Sequence, residues 1–305
     1  MRFGIHVGVG QGFRKALDEA QAAGCDCIQI FAGNPRAFKL GKYDAAEWAE
    51  FKRLREERDI RPVVIHTSYL INLATANPDL HAKSAALLAH DLSVAAKAGI
   101  EYVNTHLGSY VNQDRQIGFA QVCDTIARAI AQTPPGPMLL LENSAGAGSL
   151  CGGTLEELGA IVRAVDSPRV GVCIDTAHAW AAGYDLASEK GMKRFVDLLA
   201  QHIGLARVHA LHVNDTQVQL GEKRDRHWHV GKGQIGSAGF RRLFAVKGLS
   251  HAAAICETPK TPELDRRNVA TVKRLAGAKP TRTVRGTTVR KRPEHSGPKS
   301  GRKRA

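Results

Sequence analysis

The chain has 305 residues, 43% hydrophobic and 24% charged, the balance of a soluble globular protein long enough to bury a large core. A formal net charge of +14 suits polyanionic partners better than small neutral ones. No apolar run approaches the roughly 18 residues of a membrane span, and the opening MRFGIHVGVG lacks the apolar stretch and cleavage site of a signal peptide. A cytoplasmic protein without membrane contact is expected, associated with the nucleoid if the source is bacterial.

Apolar or β-branched runs recur along the chain, each followed by a polar stretch and a helical pattern. The first two are RFGIHV at 2–7 and CIQIFA at 27–32. Cys25 and Cys27 are too isolated to form a metal or redox motif, and the six cysteines read as buried free thiols. PVVIHT follows at 62–67, then a long amphipathic pattern that ends at Gly99. YVNTHL at 102–107 and MLLLEN at 138–143 come next, and Thr154 with Glu157 has the spacing of a helix capping box. VGVCID at 170–175, RVHALHV at 207–213 and AAAICE at 252–257 bring the runs to eight. Eight strands alternating with helices predict an α/β fold, a single (β/α)8 barrel over 1–278. An open doubly wound sheet is the alternative.

From Lys279 onward the composition changes. Residues 279–305 hold ten Lys or Arg, one Glu, two valines and no aromatic side chain. Such a segment cannot bury enough surface to fold and reads as a disordered basic tail that binds nucleic-acid phosphates through counterion release.

The polar residues that end the runs carry the chemistry. His66, His106, Glu142, Asp175, His212 and Glu257 stand 33 to 45 residues apart, about one strand–helix unit each time. In a barrel this spacing places all six on the C-terminal rim. Three carboxylates and three imidazoles so crowded require neutralising cations. His178 follows Asp175 by three positions and is expected to reach the ring from a loop. Asp225 and His227 alternate in a glycine-flanked loop after the seventh strand, with His229 as a rival to His227. The remaining histidines read as structural or as supports behind the ligands, with His6, which ends the first expected strand, the most credible exception. Nine ligands supply about three ions, of which zinc suits imidazole with carboxylate best and manganese or iron less selectively. Such clusters serve in-line phosphoryl displacement, so hydrolysis of nucleic-acid phosphodiesters is expected.

The segments HTSYLINLA, NTHLG, LLLENSAGAG, GVCIDTAHAWAAGYD, HVNDT, DRHWHVGKGQIG and ETP together resemble the endonuclease IV family of apurinic/apyrimidinic endonucleases, from about residue 3 to 276. The resemblance implies a zinc-dependent, monomeric deoxyribonuclease of base excision repair. Its substrate would be duplex DNA, cut 5′ to an abasic site to leave a 3′-hydroxyl and a 5′-deoxyribose phosphate. It also implies a trinuclear zinc site, with manganese an alternative at one position. His66, His106 and Glu142 would hold one ion, with Glu142 bridging to a second completed by Asp175, His212 and Glu257. His178, Asp225 and His227 would hold the third, and Glu142 and Glu257 would be catalytic. Arg36, Tyr69 and Leu70 match positions by which the family enters the minor groove and holds the flipped abasic sugar. Pro35 stands where some members carry a polar residue.

Three rival readings differ in what they leave idle. A single-metal sugar isomerase or epimerase of the xylose-isomerase type would need a Glu–Asp–His–Glu set but not His66, His106 or the Asp225–His227 pair. A small-molecule phosphatase leaves the basic tail idle, and a non-catalytic DNA-binding module leaves the nine ligands idle.

Overall fold

Parallel strands buried on both faces must be covered by helices outside and by one another inside. The computed structural model, which describes residues 1–38, 40 and 44–278, has that arrangement. The basic segment expected from 279 lies outside the described residues. The strands are β1 (Arg2–His6), β2 (Cys27–Phe31), β3 (Val63–His66), β4 (Tyr102–Thr105), β5 (Met138–Glu142), β6 (Val170–Asp175), β7 (Val208–His212) and β8 (Ala253–Cys256). All are parallel, each beside its sequence neighbours, and β8 returns to β1 through Arg2↔Ala253 and Ile5↔Cys256. The sheet is therefore a closed barrel and not an open doubly wound sheet. Gly4 permits the close approach of β1 to β2, since a Cβ there would lie 1.9 Å from the Cys27 carbonyl oxygen.

Helices follow the strands, two of them between β6 and β7: α1 (Phe13–Ala23), α2 (Ala45–Glu57), α3 (Pro78–Ala98), α4 (Arg115–Gln132), α5 (Leu155–Val165), α6 (Thr176–Ala182), α7 (Glu189–His202), α8 (Gly236–Phe244) and α9 (Pro262–Leu275). Their ends follow local chemistry. Asn77 caps α3 by accepting from the Leu80 amide, and Gly99 ends it at φ 64°. Thr154 caps α5, but the expected box is only half formed. The Glu157 carboxylate instead accepts from the amides of Gly152 and Gly153, at 2.8 and 3.3 Å, because the chain turns beneath it there.

Strand side chains alternate between faces. Ile28, Ile30, Ile65, Val103, Leu141 and Ile174 join the helices in the outer core, each worth about 1.5–3 kcal/mol of burial. Cys27, Val64, Leu140, Cys173, Ala210 and Ile255 fill the barrel interior with Tyr102. One inward position further along, every strand turns polar.

Candidate metal centre

That polar layer holds the residues singled out by spacing. His66, Glu142, Asp175 and His212 are the last residues of β3, β5, β6 and β7, and His106 and Glu257 lie one position past β4 and β8. His178 corrects the loop expectation, since it lies on the first turn of α6. Asp175 is the N-cap of that helix, and its Oδ1 accepts from the His178 amide at 2.8 Å. The three-residue separation is thus a capping interval, and it turns the imidazole back over the barrel mouth. Asp225 and His227 belong to the long β7–α8 loop, which buried Asp215 braces. Its carboxylate accepts from the amides of Thr216, Gly233, Ile235 and Gly236, and an isolated antiparallel bridge joins it to Trp228. Gly233 is required by the brace, because a Cβ would sit 2.5 Å from the Asp215 carboxylate. His229, the rival of His227, turns away to Asn268 at 3.1 Å.

The nine side chains converge. Glu142 Oε2 lies 3.3 Å from His66 Nε2 and 3.7 Å from His106 Nε2, while its Oε1 lies 3.1 Å from His212 Nδ1 and 3.3 Å from His178 Nδ1. His212 Nδ1 is also 3.1 Å from Glu257 and 3.8 Å from Asp175. Asp225 stands 3.3 Å from His178 Nε2 and 3.2 Å from His227 Nε2, and His227 Nε2 is 3.4 Å from Asp175. Two donors each about 2.1 Å from a tetrahedral zinc stand about 3.4 Å apart, so, apart from that of His178 Nδ1, which also bonds the Asn143 carbonyl, these separations suit ligands around an ion. Groups of suitable donors are His66, His106 and Glu142; Asp175, His178 and His227; and Glu142, Asp175, His212 and Glu257. A further sign of fit is His227 Nε2, a buried nitrogen beside two carboxylates yet in no hydrogen bond.

Charge explains why the cluster calls for cations. Burial alone would raise Glu142, but the charges of His106 and His212 and hydrogen bonds from His178 and His212 hold its carboxyl well below the usual range. Burial would likewise lower His66, yet Glu142 beside it pushes the imidazole up. His227 rises to about 9, because Asp175 and Asp225 outweigh its burial. In the metal-free protein, protons on His66, His178, His212 and His227 thus balance the carboxylates, while burial lowers His106, and a bound ion must displace those protons. Cys173 also lies near Glu142 and His212, but burial pushes its thiol up to about 12, which makes it a poor ligand.

Sequence reasoning misses a second set of residues, the amides that hold the carboxylates. Asn104 Nδ2 donates to Glu142 Oε2 at 2.6 Å, Asn214 Nδ2 to Asp175 Oδ2 at 2.7 Å, and Gln29 Nε2 to Glu257 Oε1 at 2.6 Å. Asn214 Oδ1 also accepts from the Glu257 amide at 2.7 Å. The available signal is a polar residue at an inward position of an otherwise apolar strand, as in CIQIF and YVNT. His6 touches this set through Gln29 at 3.1 Å, and burial lowers its imidazole to about 3.

The centre opens into a cavity of about 390 Å³. Tyr69 lines it, 59% exposed, with its ring 5.8 Å from that of His66 and 5.3 Å from that of Phe31. Leu70 is exposed beside it, and Arg36 is exposed on the β2–α2 loop. Val111, Ile117 and Leu220, also exposed, follow the C-terminal ends of β4 and β7. The large apolar side chains exposed among the described residues therefore all lie in segments that follow C-terminal strand ends, the side of the barrel where a partner would cover them.

Comparisons with known proteins agree with this geometry. Residues 17–276 match the family model described as xylose isomerase-like TIM barrel. The chain is 40% identical to the probable endonuclease 4 of Natranaerobius thermophilus, over 91% of this chain and 98% of that one. Among solved structures it is similar to endonuclease IV from Thermus thermophilus, with a TM-score of 0.82 and 37% identity over 91% of this chain and 99% of that one. A D-tagatose 3-epimerase-like protein shares the fold at a TM-score of 0.66 but only 18% identity, covering 91% and 97% of the two chains.

Proposed function

We propose, since the chain belongs to the endonuclease IV family and is an apurinic/apyrimidinic endonuclease, that it hydrolyses the phosphodiester 5′ to an abasic site in duplex DNA. The products would be a 3′-hydroxyl and a 5′-deoxyribose phosphate. The observation that carries this reading is the convergence of five imidazoles and four carboxylates at separations of 3.1 to 3.8 Å. About three zinc ions would be held, one by His66, His106 and Glu142, one by Glu142, Asp175, His212 and Glu257, and one by His178, Asp225 and His227. Bound divalent ions supply Lewis-acid charge to the attacking and leaving oxygens of an in-line displacement.

The chain's own residues do the rest. Glu142 and Glu257 would hold the ions that neutralise charge at the reacting phosphate, and Glu142 faces both halves of the site through its two oxygens. Tyr69 and Leu70 occupy the space left when the abasic nucleotide leaves the duplex, which costs least where no base must unstack. Arg36 contacts the groove from the neighbouring loop. The segment from 279 adds phosphate contacts that depend on salt and not on the lesion.

The epimerase reading has one observation in its favour, the compact Glu142, Asp175, His212 and Glu257 quartet, but it leaves His66, His106 and His227 without a task. Incubation with a duplex carrying one abasic site, beside a ketose, separates the two. Cleavage at the abasic position with a 3′ end that a polymerase extends supports the proposal. Epimerised sugar with intact duplex contradicts it.

A further inference from the structure

Four imidazoles in the centre have one ring nitrogen toward the ligand cluster and the other in a hydrogen bond, the bonded Nδ1 of His178 lying also 3.3 Å from Glu142 Oε1. For three of them that partner is the backbone. His66 Nδ1 meets Thr67 O at 2.7 Å, His178 Nδ1 meets Asn143 O at 3.0 Å and His227 Nδ1 meets Glu257 O at 3.2 Å. A carbonyl only accepts, so each of these rings carries its proton on Nδ1 and offers Nε2. His212 is reversed. Its Nε2 lies 2.9 Å from Gln29 Oε1, while its Nδ1 faces Glu142 and Glu257, both at 3.1 Å.

We infer that Gln29 is a positioning residue, which selects Nδ1 of His212 as its metal-facing atom and holds Glu257 in place beside it. The inference rests on the metal reading above. Gln29 is fully buried at an inward position of β2, between His6 on β1 and Val64 on β3. A buried primary amide must have its donors and acceptor satisfied, and here one orientation satisfies them. Nε2 donates to Glu257 Oε1 at 2.6 Å and approaches His6 Nδ1 at 3.1 Å. The Glu257 carboxylate only accepts, so the amide nitrogen must face it and the amide oxygen must face His212. The His212 proton then belongs on Nε2. Glu257 thus fixes Gln29, and Gln29 fixes His212. The other three rings are oriented by main chain, which no substitution removes, whereas this one depends on a side chain 183 residues away in sequence.

The test is a long-range ¹H–¹⁵N correlation spectrum of histidine-labelled, zinc-loaded protein, with zinc affinities from chelator competition. Wild type should show one coordinated ring protonated on Nε2 and bound through Nδ1, against others of the opposite form. Gln29→Leu should lose that ring pattern and weaken one class of zinc by about 10–100-fold, the range for loss of such outer partners, with the other zincs unchanged. Gln29→Glu keeps an acceptor toward His212 and should keep the ring pattern while weakening the hold on Glu257. Wild type in which every coordinated ring is protonated on Nδ1 overturns the inference without reference to any variant. So does Gln29→Leu with wild-type spectrum and affinities. Wild type that takes up no zinc overturns the metal reading, and this inference with it.

Discussion

Cys27, Val64, Leu140, Cys173, Ala210 and Ile255 face the barrel axis, and two residues further along the same six strands so do Gln29, His66, Glu142, Asp175, His212 and Glu257. The two layers are about 6.6 Å apart and share backbone, register and, apart from half-buried Glu257, near-complete burial. The lower layer is apolar and holds its thiols neutral, burial pushing Cys173 up to about 12 and Cys27 well above its usual value. The upper layer gathers ionised groups that burial alone would forbid. One pleat separates the part of the sequence that closes the barrel from the part that does chemistry, so substitutions in the two layers should fail in different ways.

The largest difference should come from Glu142→Gln. It keeps the shape but turns one acceptor oxygen into a donor and removes the charge shared by both halves of the site, and cleavage of abasic duplex should fall by at least about 100-fold. Circular dichroism should show a folded protein, and near-normal turnover would mean the charge is not needed. Asn104→Leu should come next. Its Nδ2 donates to Glu142 Oε2 at 2.6 Å, and removing such an outer partner costs about 10–100-fold in metal affinity or activity, measured by chelator competition beside kcat.

The lower layer gives the converse result. Leu140→Ala, directly beneath Glu142, should lower unfolding free energy by about 2–5 kcal/mol in denaturant titrations. Turnover per folded, metal-loaded molecule should change less than about threefold, and a loss as large as that of Glu142→Gln would abolish the distinction between layers.

The upper layer is legible in the sequence where a ligand ends an apolar run, as Glu142 ends MLLLE and Asp175 ends VGVCID. Closure of the barrel is legible for the same reason, since eight such runs alternate with helical patterns. Gln29 and Asn104 show in the sequence only as polar residues inside apolar runs, and their roles, like that of Asn214, are not legible, because a single amide has no spacing of its own and its partners are set by closure of the barrel. His178 is legible as a residue but not as part of a helix, since a capping interval and a loop ligand look alike in one sequence. Asp215 escapes notice because its partners are backbone amides of a loop with no periodic pattern.

Titration gives a smaller contrast. Asp175 and Asp225 outweigh burial and raise His227 to about 9, so the stability this residue gives the metal-free protein is complete below about 6.5 and lost as pH rises through about 9. Glu257, lowered to about 2 by His212 against its burial, contributes above about 4.5 and ceases to as pH falls toward 2. Bound zinc needs neutral imidazoles, so the Tm gained on adding zinc should increase between pH 6.5 and 9 in calorimetric scans. A constant gain would show that no proton is displaced.

The central claim is that the upper layer holds ions that cleave DNA, and elemental analysis of active protein tests it most directly. The account predicts about three ions per chain, mostly zinc, with cleavage of abasic duplex lost on their removal and restored on their return. Full cleavage by protein holding one ion or none would contradict it.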